Sequence, residues 1–336
     1  MLSDNPLVTI IIPFVEVDPL LVESIKRIKR LNYQNWELFL VADRPVNLNH
    51  SDKVKILVSG PKTIAEKRNL AIKKADKKTE LFAFIDSDAY PDENWLSEAV
   101  SEFKTRKPKA VGGPNVIPPN ASWREKVIDR AVKSPIISGL KTFQYKQANT
   151  RRVCSLPTCN LVIKKSALEN VGFFNPEFVT GEDMELCERI NEVGEIVFSE
   201  KVVVFHHRRK FLLPFLKQRF VYGGSVFNKL KKGVKKEKWP LFLAPLFVIY
   251  LISGAAVSII LSTYLWFFIS LFAVVLICLF EAIRCSKRVQ ETPFVFLAIL
   301  TSLPFPGLGS FYGLINNYDT QSIYKRREIN KKKGKT

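Results

Sequence analysis

The stretch Leu81-Phe82-Ala83-Phe84-Ile85-Asp86-Ser87-Asp88 runs an apolar strand straight into two carboxylates separated by one residue. An uninterrupted apolar run of this length reads as a strand buried on both faces, the kind found inside a parallel sheet. Upstream the pattern repeats. Val8 to Pro13 is a β-branched run, Pro19 to Leu31 has helical spacing, and Trp36 to Asp43 is a second strand. Val54 to Ser59 follows, then a helix near Thr63 to Ala75. This alternation predicts an α/β domain, a Rossmann-like mixed sheet flanked by helices. Ligands of such sheets bind beyond the carboxyl ends of the strands, so Asp43 and Asp86, each closing a strand, are expected to share one crevice.

Downstream, a helix is expected near Asp92 to Arg106, and Val111 to Ser122 is rich in Gly, Pro and Asn and reads as loop. Ala121 to Arg152 shows no clear period. A strand near Ser155 to Ile163, a loop at Phe173 to Gly181, a helix at Glu182 to Val193 and a strand at Ile196 to Phe205 complete the domain, which is placed at residues 1–209. Residues 210–238 mix aromatic and aliphatic residues with lysine and arginine, as a basic amphipathic helix in the headgroup plane does. A helix packed on the soluble domain is the other reading.

From Trp239 to Phe280 no Asp, Glu, Lys or Arg occurs. At ~1.5 Å per residue that is enough helix for about two crossings of a ~30 Å hydrocarbon layer. Residues 239–285 are therefore expected to form a transmembrane hairpin, turning near Ser262 and Thr263. A third apolar segment, 292–318, contains Pro293, Pro304, Pro306, Gly307 and Gly309. A full crossing would put the basic tail, 319–336, outside, against the positive-inside rule, so a re-entrant or interfacial path is favoured over a transmembrane one.

The net charge is +19. Its placement excludes nucleic acid as the expected partner: six lysines fall between Lys229 and Lys238 and seven Lys or Arg between Lys325 and Lys335, beside the apolar segments. Such collars favour a membrane surface with anionic lipids. The five cysteines, Cys154, Cys159, Cys187, Cys278 and Cys285, have no metal-ligand spacing and read as reduced thiols. The run Leu7 to Val15 lacks the basic lead-in of a secretion signal, so the first domain is expected to stay cytosolic, on the cytoplasmic membrane.

Asp-x-Asp at a strand end suits a hard divalent cation, which takes oxygen ligands and substrate phosphates. In order from Leu7 to about Gly224, the chain resembles the family 2 glycosyltransferases of GT-A fold. Val8-Thr9-Ile10-Ile11-Ile12-Pro13 is similar to that family's opening strand, and Leu38-Phe39-Leu40-Val41-Ala42-Asp43 to its second, with Ala42 in place of the first of two aspartates common there. Ala65-Glu66-Lys67-Arg68-Asn69 resembles the family's Ala-x-x-Arg-Asn helix, and Gly181-Glu182-Asp183-Met184-Glu185-Leu186 its Gly-Glu-Asp-x-Asp-Leu stretch. The family often closes its last core strand with a histidine, here His206 or His207, and His207 is favoured. Gln218-Arg219-Phe220-Val221-Tyr222-Gly223 resembles the Gln-x-x-Tyr-Gly segment of membrane-attached members linked to exopolysaccharide synthesis, and departs from the Gln-x-x-Arg-Trp box of processive synthases.

The resemblance implies inverting transfer of a single sugar from a nucleotide-diphosphate sugar donor. It implies Asp86, Asp88 and His207 around Mn²⁺ or Mg²⁺, and Pro13, Asp43, Arg68, Asp86, Glu182 and Gln218 at the substrates. Asp183 is implied as the base that takes the acceptor hydroxyl's proton. Read from the residues alone, Arg68 could equally be a plain ion pair, Glu182 and Asp183 acidic capping of a helix N-terminus, and either histidine a packed side chain. The acceptor is expected to be lipid-linked, since a polyprenyl phosphate, the acceptor of a synthase of the same fold, already carries its negative charge and has less need of a base. A non-catalytic membrane adaptor and a nucleotidyltransferase are disfavoured, by the intact carboxylates and by the lack of a glycine-rich triphosphate loop.

Overall fold

The computed structural model describes residues 2–48, 51–146, 148–178, 180–227 and 242–316; both lysine-rich collars lie outside them. In chain order the elements are β1 (Leu7–Pro13), α1 (Pro19–Ile28), β2 (Trp36–Ala42), β3 (Val54–Val58), α2 (Ile64–Lys74), β4 (Thr79–Phe84), β5 (Ala89–Pro91) and α3 (Trp95–Thr105). Next come β6 (Ala110–Gly112), β7 (Asn115–Val116), α4 (Trp123–Val132), α5 (Pro135–Ser138), β8 (Arg151–Arg152), β9 (Leu161–Lys164), α6 (Lys165–Val171) and α7 (Glu182–Val193). The described chain continues through β10 (Ile196–Phe198), β11 (Val204–His206), α8 (Leu213–Gly224), α9 (Leu243–Ile260), α10 (Leu265–Cys285), α11 (Thr292–Ser302) and α12 (Pro304–Ile315). They divide into two compact units, one holding Met1–Pro118 and Lys146–His207, the other Pro119–Tyr145 and Arg208–Tyr318.

The first unit is built on a sheet of order β3-β2-β1-β4-β9-β6-β10-β8, with β5-β11-β7 as a smaller second sheet. Strands β3, β2, β1 and β4 run parallel, and β9 is antiparallel to both β4 and β6. Val8, Ile10, Ile11 and Ile12 are buried on both faces of the central β1, which is why that strand reads as a continuous apolar run rather than an alternation. Each such side chain contributes ~1.5–3 kcal/mol by leaving water. Because β1 and β2 pair in register from Val8↔Trp36 to Pro13↔Val41, and Ile11 faces Phe84 of β4, these parallel strands end side by side. Asp43 and Asp86 follow directly.

The strand expected over Ile196 to Phe205 is two strands in different sheets. Between them Val202 N–H bonds back to Ser199 O, and the turn passes so close to Gly113 that a Cβ there would stand 2.2 Å from Val202 O. Likewise Ser155 to Ile163 yields a strand only from Leu161, because Thr158–Asn160 forms a tight helical turn. Asn160, fully buried, pins this region by accepting from Trp95 Nε1 and donating to Pro114 O and Val202 O.

In the second unit, Val127, Ile128 and Ala131 of α4 bury against Phe215 and Leu216 of α8, Cys278 and Ala282 of α10, and Val295, Ala298 and Ile299 of α11. The first domain is therefore not continuous over 1–209: Pro119–Tyr145 belongs with the helices because α4 turns its apolar face to them. Three helical segments are long and apolar enough to cross a membrane, Leu243–Ile260, Leu265–Cys285 and Val289–Ile315. The chain reverses between α9 and α10 at Ser262, which adopts φ 52°. The third segment is broken at Leu303, ahead of Pro304, whose ring and missing N–H interrupt the ladder. Its α12 meets two neighbours at backbone distance: a Cβ on Gly309 would stand 2.0 Å from Phe220 O of α8, one on Gly313 2.1 Å from Gly224 O, and one on Gly307 2.3 Å from Ala244 O of α9.

Glycines four apart on α12 thus let the helices touch where any side chain would hold them apart. Gly309→Val is expected to lower the stability of the full chain in detergent by ~1–3 kcal/mol or more, as overpacking does. A thermal unfolding midpoint equal to the wild type's would show that α8 and α12 do not pack this closely.

Candidate active site

The carboxylates of the first unit converge on a buried guanidinium. Arg68 of α2 is 1% exposed, and its Nη2 stands 3.1 Å from Asp86 Oδ1 while Nη1 stands 2.8 Å from Glu182 Oε1. Helix α2 starts on a capping box, Thr63 and Glu66 each bonding the other's backbone N–H, so its entry angle is defined. Asn69, on the same helix, bonds Phe174 through both its Nδ2 and Oδ1, drawing in the loop before Glu182. Gly181 then turns the chain into α7 at φ 79°, a left-handed conformation that a glycine takes without a Cβ penalty. Glu182 and Asp183 occupy the first turn of α7, where the helix dipole favours negative charge.

Arg68 forms the ion pairs that one of its two readings expected, with Asp86 and Glu182 as partners. Removing one partner of such a buried pair costs ~3–5 kcal/mol, because the other charge is left unpaired in a low-dielectric site. Asp43 is likewise held by protein, its Oδ1 2.5 Å from Nζ of the buried Lys67, which also donates to Phe14 O. Lys67 was not singled out from the sequence, where a lysine in a helix next to an arginine reads as solvated surface.

Beyond Arg68 the acidic charge accumulates. Asp86 keeps 36% of its side-chain surface open, yet the surrounding protein and the charges of Asp88 and Asp183 raise its carboxyl above the ordinary range, against the pull of Arg68. Glu182 is raised too, by burial first and then by Asp183, with Arg68 opposing. Asp183 therefore shares an electrostatic environment with both. Its Oδ1 accepts from Met184 N–H at 2.7 Å, and the side chain remains half-exposed.

The histidine facing these groups is His206, not the favoured His207. In β11, His206 pairs with Ala89, next to Asp88, and its Nε2 lies 3.2 Å from Asp88 Oδ1. Side chains of a strand alternate faces. Phe205 and His207 accordingly point the other way, to Tyr90, which stacks on Phe205 at 5.1 Å and tilts against His207 at 6.4 Å. The backbone N–H of His207 donates to the carbonyl of Asp88. Burial alone would lower the His206 imidazole, but the Asp88 charge and contact with Cys159 raise it to about 10. Cys159 is a further neighbour that a lone buried thiol gave no sign of.

One oxygen each of Asp86 and Asp88 and one ring nitrogen of His206 lie within 4.8 Å of one another. Hard cations bind oxygen ligands at ~2.0–2.6 Å, so a single ion can reach all three, and two carboxylates with an imidazole suit Mg²⁺ or Mn²⁺. Pro13 ends β1 at a buried position and offers no polar side chain. Gln218 belongs to the second unit, on α8, where its Nε2 donates to Tyr222 Oη at 3.1 Å.

Residues 9–172 match the sequence model of glycosyl transferase family 2. A pre-mycofactocin glycosyltransferase of Mycobacterium tuberculosis is 28% identical over 148 residues, 44% of this chain and 31% of that protein. Glycosyltransferase AglE of Haloferax volcanii is 27% identical over 146 residues, 43% of this chain and 44% of that protein. The chain thus spans less than half the length of either relative. Among solved structures, the mannosyltransferase PcManGT of Pyrobaculum calidifontis, in complex with GDP-Man and Mn²⁺, superposes with a TM-score of 0.58 at 18% identity, covering 89% of this chain and 86% of that one. The fold is the GT-A fold that the sequence implied.

The raised imidazole has a measurable consequence. Its folded value exceeds the ordinary ~6.5, so the His206–Asp88 pair stabilises the metal-free protein fully below about pH 6.5, and this contribution is lost as pH rises through about 10. A metal ion needs the neutral ring and must expel that proton. Mn²⁺ affinity is expected to rise by about tenfold per pH unit between pH 6.5 and 9, with roughly one proton released per ion in calorimetric titrations. A pH-independent affinity without proton release would remove His206 from the ligand set.

Proposed function

We propose that the chain, whose residues 9–172 match the glycosyl transferase family 2 model and whose relatives are named glycosyltransferases, moves one sugar, with inversion, from a nucleotide-diphosphate sugar to a lipid-linked saccharide presented at a membrane. The observation that carries this reading is Arg68, which ties Asp86, one of the candidate cation ligands, to Glu182, the neighbour of Asp183. A group that meets the leaving diphosphate and a group that meets the incoming hydroxyl are thereby kept in one cleft.

Asp86, Asp88 and His206 would hold the divalent ion. When bound there, such an ion supplies positive charge to the departing nucleoside diphosphate. Asp183 would accept the acceptor hydroxyl's proton on a carboxylate oxygen while that hydroxyl's oxygen bonds the anomeric carbon from the face opposite the leaving group. Its half-exposed position in the first turn of α7 supports this role, since the base must be open to the acceptor. Arg68 would not touch substrate. It positions Asp86 and Glu182 and offsets part of their mutual repulsion.

The apolar helices support the membrane acceptor. At ~1.5 Å per residue, α9 and α10, of 18 and 21 residues, give about 27 and 32 Å of apolar helix, matching a ~30 Å hydrocarbon layer. We assign them to an anchoring hairpin on the cytoplasmic membrane with the catalytic unit cytosolic. For the third segment we favour a re-entrant path: it is broken at Pro304, and 44% of its apolar window is buried in protein, against 22% and 17% for the other two.

Membranes carrying the wild-type chain, incubated with Mn²⁺ and a panel of radiolabelled nucleotide sugars, are expected to label an extractable lipid-linked saccharide. Asp88→Ala should abolish the labelling and Asp183→Asn should reduce it ~10²–10⁴-fold. Undiminished labelling in Asp88→Ala would refute the catalytic assignment. Labelling of bare polyprenyl phosphate would replace the saccharide acceptor with a phosphate one and demote Asp183 to orienting it.

A further inference from the structure

Among the described residues, Arg219, on α8 in the second unit, has no opposite charge beside it. Its Nε is shut off from solvent and has no hydrogen-bond partner, and its Nη2 makes only a long bond to Ile137 O at 3.4 Å. Among the described residues no carboxylate lies within ion-pair distance of it. The other enclosed arginines of this unit are paired: Arg208 Nε stands 3.3 Å from the fully buried Asp129, and Arg130 meets both Asp129 and Glu291. The side chain as a whole is half-buried, and desolvation of its guanidinium pushes it below its ordinary value.

What surrounds Arg219 is polar but uncharged. The hydroxyls of Tyr145 and Tyr222 are its electrostatic neighbours, and Gln218 donates to Tyr222 Oη. Arg208, paired with Asp129, packs its guanidinium 4.8 Å above the Tyr145 ring. A planar guanidinium flanked by phenol donors is the donor set that fits phosphate oxygens, and an arginine fork fits them in pairs. The helices that carry and contact this group select the kind of phosphate. Residues Phe220 and Gly224 of α8 lie against Gly309 and Gly313 of α12, within a segment apolar enough to enter a membrane. A soluble anion would have no use for such surroundings, whereas a lipid phosphate would place its chain among apolar side chains and its head on the cation.

We propose that Arg219, with Tyr145 and Tyr222, binds the phosphate head of a long-chain lipid phosphate or diphosphate. This rests on the membrane acceptor proposed above and names the group by which that acceptor would be held.

The test uses the full chain in detergent micelles and geranylgeranyl phosphate as the probe, with geranylgeraniol and inorganic phosphate as controls. The wild type is expected to bind the lipid phosphate at least tenfold more tightly than either control. Arg219→Met should weaken that binding at least tenfold while the thermal midpoint of the unliganded protein stays level or rises, because an uncompensated charge has been removed. A packing residue would show the reverse pattern, a lower midpoint with binding unchanged, and that result overturns the proposal. Tyr222→Phe, which leaves the guanidinium in place, should weaken binding severalfold, so the proposal stays testable if Arg219→Met does not fold; unchanged binding in Tyr222→Phe would then overturn it. Inorganic phosphate binding as tightly as the lipid phosphate would overturn the lipid assignment. If Asp88→Ala abolishes sugar transfer while Arg219→Met binds the probe normally, this site fails and the transferase reading stands. Transfer undiminished in Asp88→Ala would strike that reading alone.

Discussion

The guanidinium of Arg68, enclosed between Asp86 and Glu182, is the contact on which the geometry of the cleft depends. It joins three stretches distant in sequence: helix α2, the end of β4 and the start of α7. Without it, Asp86, Asp88, Glu182 and Asp183 would share one small volume with His206 alone to offset them, and the cost of burying like charges would drive them apart or protonate them. With it, Asp86 and Glu182 are held in place and one further negative charge is offset, which leaves the cleft acidic. A structural ion pair and a candidate functional site are in this sense one arrangement.

Much of the first unit was legible because its signals are local. The apolar runs of β1, β2 and β4 announce strands buried on both faces, and the carboxylates closing two of them follow from where parallel strands end. Asp86-Ser87-Asp88 and Gly181-Glu182-Asp183 are contiguous, so they could be found without knowing which elements touch. His206 could not be separated from His207 in that way. The choice depends on which face of a short strand turns to Asp88, and β11 owes its register to β5, more than a hundred positions earlier at residues to which the sequence assigned no element. The break between β10 and β11 has the same origin: a turn packed on Gly113 interrupts what reads as one apolar run.

The second unit was harder to read for a related reason. Pro119–Tyr145 has no strong period because α4 is short and takes its apolar partners from helices far along the chain, Phe215, Cys278 and Val295 among them. Helix α8 was weighed as lying in the headgroup plane or on the soluble domain. Within its unit it lies against α12, through Gly223, Gly224, Gly309 and Gly313, where backbone rather than side chain makes the contact. Glycines in an apolar segment suggest a break when read singly; only their matching positions on two helices show that they are an interface. Buried charges such as Asp129 and Arg208 were invisible for the same cause, since burial is decided by what packs over a residue and not by its own neighbours in the chain.

The central claim is that Asp86, Asp88 and His206 grip one divalent cation that faces a nucleoside diphosphate. The most direct measurement is anomalous diffraction at the manganese edge from crystals of the full chain grown with Mn²⁺ and a nucleoside diphosphate. A single peak is expected within ~2.0–2.6 Å of a carboxylate oxygen of Asp86 or Asp88, with the His206 ring and a phosphate oxygen completing the shell. A peak coordinated by His207, or nucleoside diphosphate bound in the cleft with no metal beside these aspartates, would contradict the account.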